Sequence, residues 1–159
     1  INIFILDTCQ ITCAMYHVDL HVNKMLLETC QLLCNAHEIA PYKRTHYNHP
    51  CSVWVRSSQQ NYLWTCNLGM ALAMEFRHRF KKGHASEAVV KWAFANPLNN
   101  TAYDLTPFAQ AMPEQYRRED AVKAYRTYYL AEKMMLRGKP SKWTGRSIPH
   151  WLLENGVHF

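Results

Sequence analysis

The chain has few of the residues that open a fold into loops: five glycines and seven prolines in 159 positions. That scarcity excludes a low-complexity or disordered chain and limits the length of its connections. No apolar run approaches the roughly 18 residues of a membrane span. The opening, INIFILDTCQ, lacks a basic segment, an apolar segment and a small-residue cleavage site in that order. These absences predict a cytoplasmic protein with no membrane partner and no obligate protein partner evident. CxxC and HExxH are also missing, so neither a zinc knuckle nor a helical metalloprotease site is expected. The six cysteines read as small hydrophobes of a reducing compartment, because Cys9/Cys13 and Cys30/Cys34 each fall four apart in helical patterns. A four-thiolate zinc site built from those pairs, or a His17/His21 metal site, is the less favoured reading. No metal and no cofactor are expected.

Acidic charge is the other shortage. Twelve Asp and Glu face 18 Lys and Arg, giving a net charge of +6. Such an excess suits a polyanionic partner such as a nucleic acid. The cations concentrate at Lys43-Arg44, at Arg77, Arg79, Lys81 and Lys82, and from Lys133 to Arg146. Cations at helix ends also occur simply to complement the helix dipole.

With 48% hydrophobic residues, the chain has material for one core over residues 1–159. The patterning predicts a mainly α, single compact helical domain with a short N-terminal strand over Asn2 to Leu6. A short helix runs from Asp7 or Thr8 to about Tyr16, and a second reaches about His37. After a loop at 38–50, Pro50 opens one long helix ending near Gly83. A short helix follows within 84–95, then an irregular stretch at 96–118. A last helix runs from Glu119-Asp120 to about Leu136, carrying Tyr125, Tyr128 and Tyr129. Those tyrosines, at helical spacing, are read as core in preference to base-stacking groups.

The second helix carries the functional signal. His17, His21, Lys24, Glu28, Gln31 and Asn35 recur at steps of 4, 3, 4, 3 and 4, a single helical stripe. Apolar residues cover much of the remaining surface, reversing the usual proportions of a surface helix. The pattern predicts a helix buried on most sides, with a polar seam facing a cleft. Ionisable groups are costly to bury unless paired, and perturbed ones concentrate at functional sites. The plain alternative is a solvent-facing seam with an ordinary Lys24–Glu28 pair. Lys24 is a candidate nucleophile and Glu28 a candidate acid/base or electrostatic group. The loop RTHYNHPCSVWVR adds Arg44, His46, His49 and Arg56 at a Pro-initiated helix start, a pattern suited to phosphate. His17, His21 and Gln31 join these as candidate substrate or DNA contacts.

The striped helix and its surroundings resemble the phage-type pyrimidine-dimer DNA glycosylase/AP lyase family. Ile1-Asn2-Ile3 is similar to that family's opening Ile-Asn-Leu strand, and His21 precedes Glu28 by seven residues, as the family's histidine precedes its glutamate. The helix after Pro50 and the tail with Trp143 and Trp151 match the family in position and composition. The resemblance implies a repair enzyme in which an N-terminal amine attacks C1′ of a damaged nucleoside. Carried over, the amine is that of Ile1, the glutamate Glu28, and the phosphate or sugar contact His21. Departures are Leu27 and Gln31, where the family has arginines beside the glutamate, and the lack of the small residue that supplies the family's amine. The function this resemblance implies is excision of a damaged or modified pyrimidine from DNA, most simply a duplex, with an AP lyase step, in the host cytoplasm if the protein is phage-encoded. The alternatives are a nucleotide- or base-modifying enzyme and a non-catalytic nucleic-acid-binding module.

Overall fold

A computed structural model describes residues 1–99 and 101–158. The chain is mainly helical, with α1 at Gln10–Tyr16, α2 at Asp19–Cys34, α3 at Pro50–Arg56 and α4 at Gln59–Phe80. Further on come α5 at Glu87–Ala95, a 3-10 turn at Glu114–Tyr116, α6 at Ala121–Glu132 and α7 at His150–Leu153. A two-residue antiparallel hairpin, β1 (Met135–Leu136) and β2 (Lys139–Pro140), sits between α6 and α7. Helix α4 is the spine, contacting α1, α2, α3 and α5. No helix among the described residues is long and apolar enough to cross a membrane.

The core joins residues 3–6 to residues 151–152. Ile3, Phe4, Ile5 and Leu6 are buried together with α2 and α4 side chains, and Trp151 and Leu152 close the far side. Close approach of α4 to α5 and α2 depends on Gly69, where an added Cβ would lie 3.1 Å from Val90 Cγ2. Tyr125 and Tyr129 are buried on α6, which makes them core, as their spacing predicts. Side-chain caps mark the starts of the long helices α4 and α6. Ser58 Oγ accepts from Asn61 N–H at α4, and Asp120 Oδ1 accepts from Val122 and Lys123 N–H at α6.

Several expected boundaries move. Asn2 to Leu6 forms no strand and bends at Leu6, whose N–H donates to Phe4 O; the segment is held by burial and side-chain bonds instead. The striped helix ends at Cys34, three residues short of His37. The single helix expected after Pro50 is two, α3 and α4, broken at Ser57–Ser58. Ser57 Oγ donates to Trp54 O, and Ser58 turns extended and caps α4. Such hydroxyl bonds compete with helix continuation. The gap admits the 101–103 segment, whose Ala102 and Tyr103 carbonyls accept from Gln59 and Gln60 N–H. Helix α6 stops at Glu132, and residues expected to finish it form the hairpin instead.

Candidate active site on helix α2

The stripe divides on folding. Leu20, Asn23, Lys24 and Leu27 form the exposed face of α2, while His21, Glu28 and Asn35 are buried. Ten of the sixteen α2 residues are buried, so the helix is enclosed on most sides, as its composition predicts. Gln31 lies half-buried between the two groups.

Glu28 receives the start of the chain. The Ile1 nitrogen lies 3.3 Å from Glu28 Oε1, and Asn2 N–H donates to the same oxygen at 3.1 Å. Lys24 Nζ stands 3.9 Å from the other oxygen, with its side chain 64% exposed against 9% for Glu28. A buried carboxylate therefore meets two nitrogens from within the core and one ammonium from solvent. This brings together the three residues expected to be catalytic: Ile1, Lys24 and Glu28.

Asn2 fixes that approach. Its Oδ1 accepts from Ile3 N–H at 2.8 Å and Tyr125 O–H at 3.1 Å, and from the Cys51 thiol at 3.4 Å. Its Nδ2 donates to Ala111 O at 2.8 Å. Burial pushes the Cys51 thiol up to about 11, so at neutral pH it is a protonated donor and no nucleophile. Asn2, Cys51 and Tyr125 were not expected to belong to a site. The one signal was Asn2 itself, the only polar residue in Ile1–Leu6.

One face of the site is the loop before α3. His49 caps α3, its Nδ1 accepting from Cys51 N–H at 3.1 Å. Its pKa is lowered, first by burial, then by the positive charge at residue 1 and by His46, against an opposing pull from Glu28. His49 thus lies in the field of the Ile1–Glu28 pair. His46 is exposed, at φ 49°, with its ring against Thr45 Oγ1. Asn35 ties the loop down by accepting from Thr45 N–H and donating to Ser52 Oγ. The last residue of the stripe is therefore a clamp for the histidine loop. Arg44 and Arg56 lie 4.2 and 3.7 Å from the centre of the Tyr47 ring. Arg56 also donates to Tyr47 O and Ser52 Oγ, so its guanidinium is pinned.

Two expected contacts are corrected. His17 is not on α2 but at the C-terminal end of α1, with no exposed surface. Its Nδ1 donates to Cys13 O, and burial lowers its pKa to about 4. It is a neutral core residue without access to a substrate. His21 stacks on Phe4 at 4.9 Å between ring centroids, and is 5% exposed. Tyr129 O–H accepts from Val18 N–H, which leaves it to donate to His21 Nδ1. Burial, helped by His17, Lys133 and Lys24, lowers the His21 pKa to about 3. A neutral imidazole so enclosed is a poor phosphate ligand, and its role here is to pack the chain start against α2 and α6.

The basic cluster at the end of α4 is largely structural too. Arg79 is enclosed, bonding Glu75 at 2.7 Å and Asp19 at 3.1 Å, and Arg146 reaches Glu75 at 2.9 Å. Arg77 pairs with Glu87 at 2.7 Å. Among the described residues no three His, Cys, Asp or Glu side chains gather as a metal site, and all six cysteines are free.

No family model matches the chain, and neither the curated proteins nor the solved structures contain a match.

Proposed function

We propose that this protein is a DNA glycosylase that excises a damaged or modified pyrimidine, with an associated lyase step through an amine. The observation that carries the reading is the 3.3 Å approach of the Ile1 nitrogen to the buried Glu28 carboxylate. Where Ile1 is the first residue this nitrogen is an amine, and an amine beside a carboxylate supplies both a nucleophile and a proton acceptor.

The amine lone pair attacks C1′ of the target nucleoside. The C1′–N1 bond breaks, and its electron pair leaves with the base, which takes up a proton. Glu28 stabilises the cationic character that develops on the sugar and accepts the proton lost by the amine. Opening of the sugar ring gives a Schiff base. Loss of a C2′ proton then expels the 3′ phosphate, and water releases the amine. The target base must leave the stack for C1′ to be reached. The Arg44 guanidinium, the His46 ring and the exposed edge of the α3 loop offer contacts for flanking phosphates. Where residue 1 carries a peptide bond to a preceding residue, Lys24 is the amine within reach of the same carboxylate.

Borohydride trapping on duplex DNA tests this reading. The substrates carry an abasic site or a cyclobutane pyrimidine dimer. The expected result is a covalent adduct mapped by mass spectrometry to residue 1 or Lys24, and its loss in Glu28→Gln. DNA binding without any adduct or base release would overturn it.

A further inference from the structure

The chain has a cationic recess that the chemistry at Glu28 does not use. A cavity of about 860 Å³ opens between the first turns of α2, the end of α4 and the β1–β2 hairpin. Its walls include the Phe76 and Phe80 rings, 4.9 Å apart, and the exposed Leu20. Lys82, Arg137, Lys139 and Lys142 stand around it. Among the described residues none of the four has an acidic partner within 4.0 Å.

The single carboxylate in the wall does not offset them. Asp19 Oδ1 accepts from Arg79 and from Thr144 N–H, and Oδ2 accepts from the Thr144 hydroxyl. Asp19 is thus spent on holding the C-terminal segment to α2, a joint completed by Asp19 N–H donating to Lys142 O. What remains is an aromatic-floored recess with uncompensated positive charge. Its volume lies within the range of ligand sites, on the order of 300–1,000 Å³.

Position along α2 gives the occupant. Leu20 and Asn23 line the cavity, and the exposed face continues through Lys24 and Leu27 toward Glu28. Leu20 and Glu28 are eight residues apart, about 12 Å along a helix axis. That is roughly three to four base steps of a DNA strand at 3.4 Å each. We infer that this recess is a second nucleotide subsite for the same DNA strand, resting on the DNA reading above. One base of the strand stacks on Phe80, and the phosphates beside it lie against Lys139, Lys142, Arg137 and Lys82. Stacking on an aromatic platform within a basic groove is sequence-tolerant, so the subsite grips the strand without reading it.

The test is equilibrium binding of a fluorescent, undamaged single-stranded 15-mer of thymidylate to the full chain, measured by anisotropy across a salt series. Phe80→Leu is expected to weaken binding about 5- to 100-fold. Lys139→Ser/Lys142→Ser is expected to make the logarithmic salt slope shallower by about 1.4, two phosphate contacts at about 0.7 each. The thermal midpoint of each variant checks its fold, and the lysine pair, exposed on and beside the hairpin, carries the test if Phe80→Leu unfolds. Unchanged affinity and slope in both variants, or no binding by the parent chain, would overturn the subsite. The probe contains no lesion, so the result does not depend on catalysis. Weakened binding together with no trapping on any lesion would sink the glycosylase reading and leave the subsite standing. Intact trapping with unaltered strand binding would do the reverse.

Discussion

Glu28 Oε1 accepts from Asn2 N–H at 3.1 Å while the Ile1 nitrogen sits 3.3 Å from the same oxygen. One carboxylate oxygen thus holds the backbone nitrogens of both residues. Glu28→Gln keeps an acceptor for the anchor and removes the charge. Single-turnover base release should fall by a factor on the order of 10²–10⁴, with DNA affinity within a few-fold of the parent. An equally active Glu28→Gln would show that the carboxylate is only an anchor.

Lys24 separates the two candidate amines. It is largely exposed and 3.9 Å from Glu28. In a chain whose first residue is Ile1, Lys24→Met should leave borohydride trapping intact, whereas acetylation confined to the N-terminus should abolish it. Trapping that disappears with Lys24→Met would move the nucleophile to the helix.

The Arg79 guanidinium is fully enclosed and serves Glu75, Asp19, Met15 O and His17 O at once. Removing it leaves the Met15 and His17 carbonyls without this donor and takes one cation from Glu75 and Asp19, which keep Arg146 and Thr144. Arg79→Met should lower unfolding free energy by about 3–5 kcal/mol in urea titrations. A loss below about 1 kcal/mol would mean that these groups find water or other partners.

Acid should destabilise the fold well above the carboxylate range. His17 and His21 are held neutral by burial, at about 4 and about 3, against an ordinary value of 6.5. Between those values the unfolded chain binds more protons than the folded one, so stability is full above about pH 6.5 and declines as pH falls toward 4. Each histidine contributes a slope of up to about 1.4 kcal/mol per pH unit. Urea midpoints measured from pH 8 to 4 should show this decline, and His17→Gln should make it shallower. A flat profile from pH 7 to 5 would mean that both rings charge freely in the folded state.

Salt separates the proposed substrate from a free nucleotide. A protein on duplex DNA loses affinity steeply with salt, with a logarithmic slope of about −0.9 per phosphate contacted. Activity on oligonucleotide duplexes should fall sharply from 50 to 200 mM salt. Turnover of a mononucleotide with weak salt dependence would favour a nucleotide-modifying enzyme instead.

The stripe on α2 was legible because helical spacing alone puts Lys24 and Glu28 one turn apart, and the scarcity of polar residues around them signals burial. His17 looked like part of that stripe because spacing is blind to the turn between α1 and α2. The Ser57–Ser58 break was missed for a related reason. The apolar pattern continues across it, and the 101–103 segment that docks in the gap beside the Ser57 and Ser58 hydroxyl bonds is remote in sequence. Asn2 went unrecognised because its partners, Cys51, Ala111 and Tyr125, are remote in sequence.

The sequence by itself determined a helical chain with an oily central helix, a positive charge excess and a lysine–glutamate pair on that helix, since these follow from composition and local periodicity. Tertiary structure decided which charges are free to act. It buried His17 and His21 as neutral rings, spent Arg79 and Arg146 on Glu75, and left Lys82, Arg137, Lys139 and Lys142 around a recess. The physical reason is that desolvation and pairing depend on which distant segments meet, and no local pattern encodes that.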